Sequence, residues 1–287
     1  MMAECKGGGE TLENGNCAVA GPDGQTVQCV GIWATDKHHY LSQYIQATRG
    51  VRAKYLEPLG RGGAAFVDLF AGPGMLRVRD TGEIREGSPL IALHHKEAPF
   101  SKLIFCDNEP DNVAALGSRT ADDGARVTVL SGDSNVRIEE IATHIPEHGL
   151  NIALVDPFAL RALKFRTLEH LAKFSRMDLI VHFPTGDIKR NLAQHESTRF
   201  ALTEALGTSS WISEIKSMTD VPRLIEIFKE QLGSLGYGST AVRSEPIRNS
   251  NNLPLYYLVY ASKNARGDKI WQSITKNAPS GQRGMGF

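Results

Sequence analysis

No apolar run in this 287-residue chain approaches the ~20 residues that a membrane-spanning helix needs. The opening residues, Met1-Met2-Ala3-Glu4-Cys5-Lys6, have no apolar stretch behind them and do not read as a secretory signal. A cytoplasmic location with no membrane partner is therefore expected. Net charge is missing as well, since 32 basic residues offset 32 acidic ones. Such a chain has no long-range field for gathering nucleic acid and would need a local basic patch to do so. Cysteine is scarce, with Cys5, Cys17, Cys29 and Cys106 only. No two of them form the close C-x2-C pair of a zinc site, so Cys5, Cys17 and Cys29 read as incidental thiols. Cys106, inside an apolar run, reads as a small buried hydrophobe. The histidine pairs His38-His39 and His94-His95 are poor chelators, because adjacent helical residues point in different directions. No metal is expected. Two phosphate signatures are also absent, G-x-G-x-x-G and Gly-Lys-Ser/Thr, which counts against NAD and ATP.

Residues 1–30 contain Gly7-Gly8-Gly9 and Gly21-Pro22-Asp23-Gly24 with few large apolar side chains, and read as a flexible leader. Helical periodicity begins near Trp33, with Thr35 or Asp36 as the expected N-cap. Five short apolar runs follow, centred on Phe66-Val67, Ile104-Phe105, Val127 to Leu130, Ala153-Leu154 and Ile180-Val181. Helix-favouring stretches lie between them, around 88–95, 109–119, 135–144 and 161–174. Near-continuous apolar runs alternating with helices describe a parallel sheet covered on both faces. Two further strands, Tyr237 to Arg243 and Tyr256 to Ala261, are joined by a turn-rich segment holding Asn249 to Asn252, and should pair antiparallel. The expected fold is α/β: a Rossmann-like sheet of five parallel strands plus an antiparallel terminal hairpin, as in class I methyltransferases. The domain reading runs over residues 31–265, with a helical insertion at about 185–232 expected to act as a lid or acceptor-recognition element, and a tail over 266–287.

The chemistry concentrates at the ends of the apolar runs. In Phe66-Val67-Asp68-Leu69-Phe70-Ala71-Gly72-Pro73-Gly74, the glycines let backbone approach a ligand without a Cβ in the way. A helix expected to follow would present its positive N-terminal end. This turn suits the methionine part of S-adenosylmethionine (SAM), with Asp68 on the ammonium side. Asp107 ends the second run, where a carboxylate can accept from both ribose hydroxyls. Asp133 ends the third, within reach of an adenine amino group. One strand-end acid is ordinarily a cap or turn former; three in succession point into the crevice where such folds bind ligands. The expected cofactor set is Asp68, Phe70, Ala71, Gly72, Gly74, Asp107, Asn108, Asp133 and Ser134.

Asp156-Pro157-Phe158 ends the fourth run and is the expected catalytic set. Amino-group methyltransferases carry a polar residue, two prolines and an aromatic here, the aromatic stacking on a flipped base. This chain has one proline, and its aromatic comes one place early. Asp156 would orient or deprotonate the acceptor, or simply cap a helix. Ser88 and Pro89 read as the cap and first turn of a helix. Arg77, Arg79, Arg85 and Lys189-Arg190 would meet an anionic acceptor or form a solvated face.

The stretches Trp33, Lys37 to Tyr44, Phe66 to Gly74, Gly87-Ser88-Pro89-Leu90, Gly132-Asp133-Ser134-Asn135 and Val155-Asp156-Pro157-Phe158 together resemble the three-Cys-motif partner proteins, over about residues 30–190. That resemblance implies a class I SAM-dependent methyltransferase core, with Asp68, Gly72, Gly74, Asp107 and Asp133 lining the cofactor pocket. The family's name refers to cysteines of a neighbouring protein, so it implies nothing about Cys5, Cys17 and Cys29; a protein partner is a further expectation. The acceptor is open, with a nucleic-acid base or another amino group as the leading expectation. The alternative is a catalytically silent SAM-binding partner.

Overall fold

The computed structural model describes residues 4–5, 9–11, 17–60, 62–184, 196–215, 220–238, 243–248 and 254–276. Four strands come first: β1 (Glu4–Cys5), β2 (Gly9–Thr11), β3 (Cys17–Ala20) and β4 (Thr26–Val30). Helix α1 (Ala34–Arg52) follows, then β5 (Ala64–Asp68), the hairpin β6 (Met75–Val78) and β7 (Ile84–Glu86), and α2 (Ser88–Leu93). Next come β8 (Lys102–Asp107), α3 (Pro110–Arg119), β9 (Val127–Ser131), α4 (Ser134–His144), β10 (Leu150–Val155), α5 (Phe165–Ala172) and β11 (Met177–Pro184). After the helices Glu196–Leu206, Trp211–Glu214 and Val221–Ser234, the chain forms β12 (Arg243–Arg248), β13 (Pro254–Ala261) and a helix Ala265–Thr275.

The main sheet runs β9-β8-β5-β10-β11-β13-β12. Its first five strands are parallel, and β13 pairs antiparallel with both β11 and β12. This is the expected Rossmann-like sheet with its terminal hairpin. Successive side chains on a strand point to opposite faces, which explains why β5 is buried throughout. Ala65 and Val67 pack with Ile138, Leu168 and Leu171 on one face, while Ala64 and Phe66 pack with Leu41, Leu90 and Leu116 on the other. The chain leaves β5 towards β8 and β9, then returns to β10 and β11 on the far side. A crevice therefore opens beyond the carboxyl ends of β5 and β10.

Several expectations need correction. The described residues of 1–30 do not form a loose leader, because β1 to β4 join β6 and β7 in a second, six-stranded sheet. The reason is tertiary: β4 hydrogen-bonds in parallel with β6, Val27 is fully buried, and Arg119 forks onto Asp23 and the Thr26 carbonyl. Cys17 is disulfide-bonded, a pairing that depends on distance in space and not on sequence spacing. Cys29 and Cys106 are free and buried.

The segment after Gly74 is the β6–β7 hairpin, not a helix. The chain returns beside the turn only at Gly87, whose N–H donates to the Gly74 carbonyl at 2.7 Å. Helix α1 is capped by Trp33 without a side-chain bond, and Thr35 instead donates to the Ile32 carbonyl. The described helices of the 185–232 region act as core and not as a lid: Leu202, Trp211, Leu224 and Phe228 pack with Phe165 and Phe183. Tyr237 is buried ahead of β12, whose strand starts only at Arg243. Residues 266–275 are helix, not tail, with Trp271 fully buried. Lys189-Arg190 and Asn249 to Asn252 lie outside the described residues.

Candidate cofactor and acceptor site

Gly72 and Gly74 both sit at positive φ, +61° and +85°. A Cβ on Gly74 would stand 3.0 Å from Leu116 and 3.4 Å from Leu90, a tight fit at a backbone angle that already favours glycine. The bend is fastened from β8. Asp107 accepts the Gly72 N–H at 2.7 Å through Oδ2, and the Glu109 N–H and Asn112 amide through Oδ1. Its strand-end position thus couples the glycine turn to the start of α3.

Asp68 lies beneath the turn and is fully buried. Its Oδ1 accepts the Phe70 N–H at 3.3 Å, while Oδ2 has no partner among the described residues. Burial pushes the carboxyl up to about 7, against a lowering hydrogen bond from Ser88 and with the Asp156 charge adding to the rise. An unpaired buried carboxylate oxygen is costly, and it is an acceptor for a cationic or N–H-bearing ligand group. Ser88 serves this carboxyl, while the α2 cap position is Gly87.

A cavity of about 430 Å³ opens at the carboxyl ends of the strands, bounded by Phe70, Asp107, Asn108, Asp156, Pro157 and Phe158. Its volume is in the range of small-molecule sites, about 300–1,000 Å³. A second space of about 60 Å³ reaches Ala71, Gly74 and Ser88. It is small because the second sheet covers it: Gln28 of β4 stands 3.2 Å from where a Gly72 Cβ would be. Gln28, Val30, Ala34 and Lys37 border both spaces.

Asp156 does not cap a helix. It pairs with Lys37 of α1, and its Oδ1 lies 3.0 Å from His182 Nδ1. Desolvation alone would raise the Asp156 carboxyl, but the Lys37 ammonium and His182 outweigh it and the net shift is downward. A carboxylate held ionised in this way is a weak proton acceptor, so its geometry suits orientation better than deprotonation. Desolvation, with Lys37 beside it, pushes His38 down to about 3, so that imidazole is neutral. Tyr256 packs edge-on against His182, ring centroids 4.3 Å apart, and its hydroxyl donates to the Trp33 carbonyl. Phe158 is 52% exposed at the mouth, and Trp33 is 41% exposed on the same rim.

The structure thus brings Phe70, Asp107, Asn108, Asp156, Pro157 and Phe158 around one cavity, with Ala71 and Gly74 on the space joined to it. Asp68 lies beneath, and Gly72 is behind Gln28. Asp133 and Ser134 are not among the lining residues. Asp133 caps α4, accepting the Asn135 N–H at 2.8 Å, the ordinary role of a strand-end acid. Ser134 is buried with no partner for its hydroxyl among the described residues. Gln28, Lys37, His182 and Tyr256 line the site without having been expected. For His182 a signal existed, since it is the polar interruption of the fifth apolar run. Among the described residues no helix is long and apolar enough to cross a membrane.

No protein-family model matches the chain, and no curated protein does. Among solved structures the chain is similar to protein LPL1258 of Legionella pneumophila, at 11% identity over 88% of this chain and 95% of that one, with a TM-score of 0.52. It also aligns with the methyltransferase domain of bacterial CtHen1, at 14% identity over 77% and 100%, TM-score 0.37. A third match is M. jannaschii TYW2 in complex with AdoMet, at 11% identity over 86% and 84%, TM-score 0.38. The likeness to LPL1258 is one of fold alone.

Proposed function

We propose that the protein is a SAM-dependent methyltransferase of the kind the three-Cys-motif partner resemblance implies, with SAM held across the carboxyl ends of β5, β8 and β10. The observation that carries this reading is the 430 Å³ cavity at the sheet's switch point, where Asp107 and Asn108 face Asp156-Pro157-Phe158. Open α/β sheets bind ligands at that place, but fold alone does not assign chemistry; the polar groups at the strand ends do. Asp107 and Asn108 would hold the ribose, and Asp68 with its unpaired oxygen would balance the ammonium, directly or through water. Bound SAM supplies an already activated methyl group. The chain's part is then alignment and exclusion of water: Phe70 and β4 form walls, and Asp156, held by Lys37 and His182, orients the acceptor. The half-exposed Phe158 at the rim favours a flat acceptor bearing an amino group, with a nucleic-acid base as the leading case.

Calorimetry with SAM tests the cofactor, and transfer of a labelled methyl group to single-stranded RNA and DNA tests the acceptor. Asp107→Ala should weaken SAM at least tenfold, about 1.4 kcal/mol. A wild-type protein that ignores SAM rules the reading out. SAM binding without transfer to any nucleic acid, protein or small amine would leave a silent SAM-binding partner instead.

A further inference from the structure

A second cavity, of about 450 Å³, lies at the other end of the main sheet. It is walled by the end of α1, by the residues leading into β10 and β11, and by the start of the helix Ala265–Thr275. Leu150 opens β10 on this side and Asp156 follows its far end, so the two cavities are separated by the length of that strand, roughly 20 Å at 3.3 Å per residue.

Four basic side chains border it, Lys54, Arg176, Lys263 and Arg266, against one acid, Asp178. In a chain of zero net charge this is a local excess and not a reflection of composition. Asp178 is already committed, since its Oδ2 accepts the Tyr44 hydroxyl at 2.6 Å and it also bonds Ser262. The Lys54 and Arg266 side chains have no hydrogen-bond or ion-pair partner among the described residues, although the Arg266 backbone N–H donates to the Asn264 cap. Arg176 donates once, to the His148 carbonyl at 3.3 Å, and lies 5.7 Å over the Tyr55 ring. Lys263 donates to the Ala172 carbonyl and is partly desolvated, so a nearby negative charge would favour its ammonium form. Convergent cations without enough protein anions leave an unmet electrostatic demand. A guanidinium presents several N–H groups in a fork that fits phosphate oxygens. Tyr55 adds a half-exposed ring to the same wall.

We propose that this cavity is a second binding site, for a small phosphate-bearing ligand of nucleotide size, held by Arg176 and Arg266 with Lys54 and Lys263 supporting. The site is independent of the proposed SAM pocket. The test is calorimetry on the full chain with AMP and with inorganic phosphate, at constant ionic strength, using wild type, Arg176→Ala and Arg266→Ala. The Arg266 side chain is exposed and makes no hydrogen bond or ion pair among the described residues, so its variant should fold normally by circular dichroism. AMP should bind wild type and bind Arg266→Ala at least tenfold more weakly, with SAM affinity unchanged. Phosphate binding alone, lost in the same variant, would narrow the ligand to its phosphate and keep the site. The proposal fails if neither probe binds above a chloride control, or if Arg266→Ala binds AMP like wild type. It also fails if Asp107→Ala abolishes AMP binding while Arg266→Ala does not, which would place the nucleotide in the other cavity. Tighter binding of a single-stranded oligonucleotide than of AMP would overturn it too, in favour of an open nucleic-acid surface.

Discussion

Burial acts in the same direction on Asp68 and Asp156, yet the two carboxyls end on opposite sides of the ordinary range. Asp156 has Lys37 and His182 against it, and the two together reverse the desolvation. At Asp68 burial, reinforced by the Asp156 charge, outweighs the Ser88 and Phe70 hydrogen bonds and the weaker Lys37 attraction, and the carboxyl rises to about 7. An unfolded aspartate titrates near ~3.9. Between those two values the folded state binds more protons at Asp68 than the unfolded state does, so this residue's contribution to stability falls as pH rises. Asp68→Asn should remove that slope. Relative to wild type, the variant should gain stability from pH 4 to pH 7, level off above about pH 8, and gain at most roughly 4 kcal/mol. Urea unfolding of both proteins at stepped pH reads the difference; a gap that does not change with pH would contradict the assignment. At this scale the sequence was partly legible. Asp68, Asp107 and Asp156 stood out as strand-end acids. Nothing local distinguished Asp133, whose partner is its own helix, from Asp107, whose partner is the glycine turn.

Strands and helices of the core were legible because each buries a periodic face. The five parallel strands fall on the five apolar runs, and α1 to α5 fall between or before them. Reading failed where an element depends on a distant neighbour. The β6–β7 hairpin pairs with β4, more than 40 residues away in the chain and invisible to local periodicity. The helix Ala265–Thr275 is the clearest case. Residues from 266 onward read as a tail, yet Trp271 is fully buried and stacks on Tyr260, centroids 4.7 Å apart and rings 6° from parallel. Tyr40 and Tyr44 of α1 meet the same indole. Trp271→Ala should therefore cost about 3–5 kcal/mol, measured by chemical denaturation. A loss under 1 kcal/mol would mean that the helix is a dispensable appendage after all.

Over the whole molecule, the main sheet carries the proposed cofactor cavity at one end and the proposed phosphate cavity at the other, and the second sheet closes the first. Gln28, Cys29, Val30 and Gly31 supply one wall of the 430 Å³ space. The two large core clusters draw on α1, the main sheet and its covering helices, and on no residue of β3 or β4. Removing residues 1–31 should therefore leave a folded protein with reduced stability, but should weaken SAM at least tenfold, because the site would lose a wall and admit water. Circular dichroism and calorimetry on the truncated chain separate the two effects. Undiminished SAM affinity would show that the second sheet is not part of the site.

The sequence alone determined the parallel α/β sheet, its terminal hairpin, the glycine bend and the row of acids at the strand ends. Each of these is written in neighbouring residues, through alternation, helical period or a turn that only glycine makes easily. Tertiary structure alone decided which acids meet a cavity, that Lys37 and His182 hold Asp156 ionised, and that residues 28–31 wall the same cavity. Those outcomes depend on hydrogen bonds and charges between residues tens of positions apart, whose distances no local pattern encodes.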